Sequence, residues 1–325
     1  MVKSSPKKPK LLSLFFMIGN MTHNPHLSQQ VILITGASAG IGSALAQLLA
    51  RRFGGVRLAI TARREDRLEA IAQECRGYGA DVLVIRADMR DSTQVGNLAR
   101  QVIEHWGRVD ALVNNAGYGQ MGPIELVSPG TALEQLAVNF HAPLVLIQAL
   151  IPTLREQGGG RIVNISSIAG RMAFPSGGLY SASKFALEAL SDALRMELQG
   201  FNIQVSVVEP GPVMTEFFQV VREQVETTIP EGERGIYQPS FAKIEAIEAR
   251  MKMLGWTAEK AAGVIVQALS DRSPRPRYLA TTGGSVFVPL MTKIMPTWFT
   301  DAFWKRFYGI DQVEREWQKI AKRSP

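Results

Sequence analysis

The feature that most constrains this chain is a short apolar run that ends in glycines and opens into a helix. Residues 31–34 (Val-Ile-Leu-Ile) are apolar at every position, as a strand buried on both faces of a parallel sheet must be. They run into Thr35-Gly36-Ala37-Ser38-Ala39-Gly40-Ile41-Gly42, after which Ala44, Leu45, Leu48 and Leu49 recur at helical spacing. Strand, glycine turn and helix in that order predict a βαβ unit with a right-handed crossover. Glycines at 36, 40 and 42 permit a tight turn and close approach of the backbone to a pyrophosphate. Its charge then sits at a helix N-terminus, where free N–H groups and the dipole favour an anion.

The same alternation continues. Further strands are predicted at 56–61, 81–87, 111–114, 161–165, 204–208 and 278–280, with helices at 64–74, 94–105, 131–156 and 180–199. The expected fold class is α/β: a doubly wound (Rossmann) three-layer fold around a parallel sheet of about seven strands. Residues 29–284 read as a single catalytic domain, preceded by a basic tail (1–28) predicted to be disordered. Residues 214–255, punctuated by Pro230, Gly232, Gly235 and Pro239, read as a long irregular lid. Residues 285–325 read as an amphipathic helical extension.

Charge and cysteine content narrow the function classes. The net charge of +7 over 325 residues suggests an anionic partner, but residues 1–10 carry +4 and residues 271–325 carry +5, leaving 11–270 at −2. A slightly acidic body between basic ends disfavours a nucleic-acid groove. Cys75 is the single cysteine and the four histidines are dispersed, so no disulfide framework or metal site is expected, and a reducing, cytoplasmic setting fits. The longest continuous apolar runs are nine residues, short of a membrane span. Residues 11–18, behind four lysines, resemble the start of a signal peptide without a small-x-small site after it. The readings are a tail with Met17 and Met21 as later starts, a membrane-touching anchor, or a cleaved signal.

The G-x-x-x-G-x-G spacing at Gly36–Gly42 resembles that of the short-chain dehydrogenases/reductases, and further motifs follow in the same order. Asn114-Asn115-Ala116-Gly117 resembles the family's N-N-A-G. Asn139, Ser167, Tyr180 and Lys184 fall where the family has its catalytic Asn, Ser and Y-x-x-x-K, and Pro210-Gly211-Pro212-Val213-Met214-Thr215 resembles P-G-x-V-x-T. The stretch 180–218 looks most like the branch containing 17β-hydroxysteroid and retinol dehydrogenases. The resemblance implies an NAD(P)-dependent enzyme acting on CH–OH groups.

The chemistry of these residue types is consistent with that. A tyrosine hydroxyl ionises near ~10 and needs help to exchange a proton at neutral pH. Lys184, four residues on in a helix, lies on the same face, where its ammonium favours the phenolate. Ser167 can hydrogen-bond a substrate oxygen. The resemblance implies that Asn139 holds a water leading from Lys184 to solvent. It further implies dinucleotide contacts from Gly36, Ser38, Ala39, Gly40, Ile41, Gly42, Asn115, Ala116, Gly117, Tyr180, Lys184, Pro210, Gly211, Val213 (to the carboxamide) and Thr215 (to the phosphates). Asp88-Met89 resembles the adenine-contacting pair, with a turn role for Asp88 as the plainer alternative.

NAD-binding members carry a carboxylate at the end of the second strand, where it would repel a 2′-phosphate. This chain has Ala62 there, followed by Arg63 and Arg64, which predicts NADPH/NADP+, with NADH the less favoured cofactor. Ala39 precedes Gly40 where some NADP-binding relatives have a basic residue, so the phosphate falls to Arg63, with Arg64 either a second contact or the solvated start of the next helix.

The lid mixes Phe217, Phe218, Val220, Val221, Ile236, Tyr237 and Phe241 with charges, which suggests a lipophilic carbonyl or alcohol substrate. Six of the 25 aromatics lie within 298–308. Leu290, Ile294 and Trp298, and likewise Phe299, Phe303 and Phe307, recur every four residues. The implied helices could pack near the pocket, form a subunit interface, or lie on a membrane with Lys293, Lys305 and Arg306 toward headgroups. Helices 131–156 and 180–199 resemble the pair forming the family's common dimer interface, which implies a homodimer. The leading expectation is an NADP(H)-dependent carbonyl–alcohol oxidoreductase with Tyr180 as general acid/base. The alternatives are a non-catalytic NADP(H) sensor acting through its C-terminal helices, and lyase or epimerase chemistry on nucleotide sugars.

Overall fold

The computed structural model describes residues 27–322. The expectations for the start of the chain, including 11–18, Met17 and Met21, lie outside those residues.

Seven parallel strands form the central sheet: β1 (Val31–Thr35), β2 (Arg57–Ala62), β3 (Asp81–Arg86), β4 (Ala111–Asn114), β5 (Gly160–Ile165), β6 (Ile203–Pro210) and β9 (Arg277–Ala280). Their spatial order is β3-β2-β1-β4-β5-β6-β9. The order reverses between β1 and β4, the switch point where open α/β sheets place their ligands beyond the strand C-termini. The register aligns Ile32 with Leu58 on one side and Ala111 on the other. All five β1 side chains are buried, which is why this segment is uniformly apolar up to Thr35.

Two apolar layers cover the sheet. On one face α1 (Gly40–Arg52), α2 (Glu65–Gly77) and α9 (Ala258–Ser270) bury Leu45, Leu49, Leu68, Ala72, Ala262 and Ile265. On the other, α3 (Ser92–Trp106), α5 (Ala142–Glu156) and α6 (Gly178–Leu198) bury Leu98, Val102, Leu146, Leu150 and Leu194. Helix α9 escaped the sequence reading. It is the crossover that brings the chain from β6 to β9, and it packs against α1.

Three other expectations change. The helix predicted at 131–156 is divided into α4 (Pro129–Leu136), a π turn at Ala137–His141 and α5, and Asn139 lies in that turn. Read as one helix, Pro129–Glu156 is long and apolar enough to cross a membrane by length and composition, which the count of continuous apolar runs did not suggest. In this fold α5 packs on α3, beneath the sheet.

The lid is largely helical rather than irregular. The short β7 (Val213–Met214) leads into α7 (Phe217–Thr228) and α8 (Gln238–Leu254), after which β8 (Trp256–Thr257) pairs with β7. Pro230, Gly232 and Gly235 are confined to the elbow between the helices, and Pro239 sits in the first turn of α8, where its missing N–H breaks no helical bond. The lid has its own small core of Val127, Val221, Val225, Ile229 and Phe241.

The extension forms α10 (Gly284–Pro289) with a π turn at Leu290–Ile294, then α11 (Thr297–Phe307) and α12 (Ile310–Ala321). Pro296 starts a new helix, so Leu290, Ile294 and Trp298 do not form one continuous stripe. The extension touches the rest of the subunit along one side. Tyr308 stacks on Phe174 at 5.1 Å, Trp304 touches Phe174 and Phe287, and α12 lies along α8.

Candidate active site

The glycine turn makes a cradle whose tightness explains its sequence. Gly36 has φ +68°, and a Cβ there would lie 2.8 Å from Ala116 Cα; one on Gly42 would lie 2.4 Å from the Gly36 carbonyl oxygen. Helix α1 starts at Gly40 without a side-chain cap, so its first N–H groups face outward from the strand ends. Asn115 braces the turn: its side-chain amide donates to the carbonyls of Thr35 (2.8 Å) and Gly36 (3.2 Å). The backbone N–H groups of Asn115 and Ala116 donate to Thr35 Oγ1. An uncapped helix N-terminus behind a glycine cradle, at the switch point, fits a dinucleotide pyrophosphate. Ser38, Ala39 and Ile41 complete the loop, and Thr215 packs against Gly40, where a Cβ would meet it at 3.2 Å.

At the end of β2, Arg63 and Arg64 are both exposed. Arg64 crosses the glycine loop to Ser38 Oγ (3.3 Å) and pairs with Glu216 at 3.0 Å, while Arg67 pairs with the same carboxylate at 2.6 Å. Arg67 and Glu216 were not anticipated. Both guanidiniums hold the Glu216 carboxyl below the usual carboxylate range. The Arg90 side chain beside Asp88 holds its carboxyl below the usual carboxylate range, and the Arg63 charge adds to that field. The Asp88 oxygens accept from the Arg90 side chain in a close pair at 2.7 Å and from the Arg90 backbone N–H at 2.9 Å. Met89 is buried beside it.

The four other predicted residues converge where β4 and β5 end. Ser167 is extended; its hydroxyl accepts from the Ala169 N–H (3.1 Å), capping the turn Ile168–Gly170, and donates to the Pro210 carbonyl (3.3 Å). Tyr180 and Lys184 are buried one turn apart on α6. Asn139 donates to the Tyr118 carbonyl (2.9 Å) and Ser183 Oγ (3.0 Å), and its Oδ1 accepts from the Tyr118 N–H (3.1 Å). Asn139 and Lys184 meet at Gly117, where a Cβ would lie 3.1 Å from Asn139 Oδ1 and 3.4 Å from Lys184 Nζ. The π turn buries Asn139 together with Val138, and such turns within α-helices are frequent at functional sites.

Burial dominates the electrostatics. It pushes the Tyr180 hydroxyl up to about 12, and the Ser167 hydroxyl beside it acts the other way. It pulls the Lys184 amine down to about 8, opposed by the carboxylate of Glu188. Lys184 Nζ donates to the Ile165 carbonyl at 2.9 Å and lies 5.9 Å from the centroid of the Tyr180 ring. Phe217, the first residue of α7, tilts over Tyr180 with ring centroids 5.8 Å apart. Gly211 hydrogen-bonds to the β9 end through Ala280, and Val213 is buried in β7, so the segment from Pro210 to Thr215 runs from the sheet edge to the glycine loop.

A short chain dehydrogenase family model matches residues 30–226. The chain belongs to the short-chain dehydrogenases. This short-chain dehydrogenase is 34% identical to a 3-ketodihydrosphingosine reductase of Bacteroides thetaiotaomicron over 248 residues, covering 76% of this chain and 86% of the relative. It is 31% identical to 17-beta-hydroxysteroid dehydrogenase type 1 of Homo sapiens over 269 residues, covering 82% and 80%. Among solved structures it resembles a short chain dehydrogenase/reductase from Burkholderia phymatum in complex with NAD (TM-score 0.71, 27% identity, 82% and 93% covered). It also resembles a metagenomic short-chain oxidoreductase in complex with NADP (TM-score 0.61, 30% identity, 78% and 97% covered). The family assigns it a nicotinamide dinucleotide cofactor and oxidoreductase chemistry on CH–OH groups.

Proposed function

We propose that this short-chain dehydrogenase uses NADP(H) to interconvert a carbonyl and an alcohol on an apolar substrate, with Tyr180 as general acid/base. The observation that carries this is the convergence of Tyr180, Ser167, Lys184 and Asn139 beside the glycine cradle, beneath an aromatic lid. When bound, the dinucleotide supplies or accepts the hydride at its nicotinamide. In reduction, Tyr180 gives its hydroxyl proton to the carbonyl oxygen while Ser167 donates a hydrogen bond to the same oxygen. The Lys184 charge favours the phenolate that remains, and Asn139 connects the lysine to water, so that Tyr180 is reprotonated. The residues that would hold the dinucleotide are the loop Gly36–Gly42, Asn115 to Gly117, Asp88 and Met89, and the segment from Pro210 to Thr215.

Preference for the phosphorylated cofactor is supported by Ala62, which leaves no carboxylate at the end of β2, and by the exposed Arg63 and Arg64. An apolar substrate is supported by the lid core of Val221, Val225, Ile229 and Phe241 and by Phe217 over Tyr180. A panel of steroids, retinoids, aldehydes and ketoesters, assayed with NADPH and NADH, tests the reading. Turnover of a bulky ketone or aldehyde with NADPH is expected; turnover confined to small polar substrates, or a preference for NADH, would contradict it.

Two surfaces extend the proposal. Leu133, Phe185 and Met196 are exposed apolar residues on α4 and α6, which supports pairing of two copies through these helices; sedimentation of the purified chain tests it. Val286, Ile294 and Trp298 are each about two-thirds exposed or more, beside Lys293 and Arg306, which supports contact with an anionic lipid surface. Flotation with anionic vesicles should be lost on removal of residues 285–325, and unchanged partitioning would exclude the extension as the contact.

A further inference from the structure

Below the catalytic lysine lies a charged cluster that the mechanism above does not use. Glu188, one turn past Lys184 on α6, is buried, and its Oε2 accepts from Arg277 Nε of β9 at 3.0 Å. The same Nε lies 3.3 Å from Oε1 of Glu209, a buried residue of β6. Arg171, just past the turn that Ser167 caps, donates to Glu209 Oε1 at 2.9 Å. Asp192, a further turn along α6, takes the other end of Arg277 at 2.6 Å and pairs with Arg195 at 3.2 Å. Just past the end of β5, the Ser166 hydroxyl faces the Glu188 carboxylate and favours its ionised form, although neither Ser166 Oγ nor Glu188 Oε1 has a well-formed hydrogen bond. Gly170 closes the space between them: a Cβ there would lie 2.5 Å from Ser166 Oγ and 3.1 Å from Glu188 Cγ.

The arrangement is unusual in its burial. Two buried carboxylates share the partly exposed guanidinium of Arg277, so burial and the Glu209 charge push the Glu188 carboxyl up. Such a cluster is a weak source of stability, because desolvation offsets much of the attraction. Its position suggests another role. Glu188 and Lys184 are both buried one turn apart on α6 and pack around the same point, where a Cβ on Gly170 would lie 3.1 Å from Glu188 Cγ and 3.2 Å from the Lys184 carbonyl oxygen. The Glu188 charge opposes the loss of charge on Lys184. The two side chains are i and i+4 on one helix face.

We propose that Glu188 is a positioning residue for the catalytic lysine: it supplies the buried counter-charge that keeps Lys184 protonated. Through the Arg277 guanidinium that it shares with Glu209, it also joins the clamp in which Glu209 holds Arg171, the residue that follows the turn capped by Ser167. The inference rests on the catalytic reading above. The charged groups around Glu188 are Lys184 and Asp192 on its own helix, Glu209 on β6, Arg277 on β9 and Arg171 beyond the Ser167 turn.

The test compares Glu188→Gln, Glu188→Asp and Glu209→Gln with the wild type. In NADPH-dependent reduction, Glu188→Gln should move the high-pH limb of kcat downward by about one pH unit and lower kcat about three- to tenfold near pH 8, with KM for NADPH within about twofold. Glu188→Asp should restore much of the limb. Glu209→Gln cuts the same clamp farther from the lysine, so it should lose stability while leaving the limb in place.

A second readout needs neither cofactor nor turnover. A lysine whose pKa is lowered in the folded state adds stability as pH rises from its folded toward its unfolded value. In urea unfolding of the free protein, that rise should begin near pH 8 in the wild type and lower in Glu188→Gln, and it should vanish when Lys184→Met is added. A Glu188→Gln variant with both the limb and the onset unmoved would overturn the inference. If Tyr180→Phe retains turnover, the catalytic reading fails instead, and the unfolding onset still decides the coupling of Glu188 to Lys184.

Discussion

The ammonium of Lys184 lies over the ring of Tyr180, 5.9 Å from its centroid, while its proton is donated to the Ile165 carbonyl rather than toward the tyrosine oxygen. Burial shifts both groups toward their neutral forms, Tyr180 up and Lys184 down, with the Ser167 hydroxyl opposing the first shift and the Glu188 carboxylate the second. The pair is therefore primed by the fold, and its charge distribution depends on what else enters the pocket.

One consequence is a defined pH window in the free protein. The folded Lys184 value of about 8 lies below the ordinary lysine value of 10.5, so between these limits the unfolded chain binds more protons and folding becomes more favourable as pH rises. Lys184→Met should flatten this rise, which we expect to amount to roughly 1–3 kcal/mol across the window. Urea unfolding at intervals from about pH 7 to 10 measures it; a wild-type curve that is flat or falls there contradicts the burial assigned to Lys184.

The glycine cradle gives a paired comparison. Gly42→Ala would place a Cβ 2.4 Å from the Gly36 carbonyl oxygen and 2.5 Å from Asn115 Nδ2, whereas Gly54→Ala meets nothing within 4 Å. The first should lose dinucleotide binding by fluorescence titration and lower stability by about 2 kcal/mol; the second should stay within about 0.5 kcal/mol.

Cofactor choice should reside in Arg63 and Arg64. Arg63→Ala should raise KM for NADPH about tenfold or more, since a charge-assisted bond to phosphate is worth ~1.5–3 kcal/mol, and leave KM for NADH nearly unchanged. Arg64 is shared with Ser38 and Glu216, so Arg64→Ala should have a smaller effect on the same ratio. Equal loss with both cofactors would remove the 2′-phosphate from the argument.

The extension should be part of the folded subunit. Trp304 touches Phe174, Phe287, Phe303, Phe307 and Tyr308, and Phe174 lies in the loop between Ser167 and Tyr180. Trp304→Ala should lower stability by about 2 kcal/mol and raise KM for a bulky substrate more than it changes kcat. A change in neither would mean the aromatic cluster does not support that loop.

Much of this was legible in the sequence because it is local. The run from Val31 through Gly42 encodes its own strand, turn and helix, and Tyr180 and Lys184 share a helix face by spacing alone. What escaped notice depends on distant segments or on a local break in period. The π turn at Asn139 leaves no composition signal, and α9 reads as an unpunctuated apolar stretch until its partner α1 is in place. The four-residue repeat of Leu290, Ile294 and Trp298 misled because Pro296 interrupts it. Glu188 is visible four residues after Lys184, but its partners Glu209, Arg277 and Arg171 come from three other parts of the chain. The Arg64–Glu216 pair likewise joins residues 152 apart.

The central claim is that Tyr180 exchanges the substrate proton, and Tyr180→Phe removes only the hydroxyl that would do so. With an active carbonyl substrate and NADPH, the variant should bind the cofactor as tightly as the wild type and lose at least about a hundredfold in kcat. Retention of most of the turnover, with cofactor binding intact, would contradict the account.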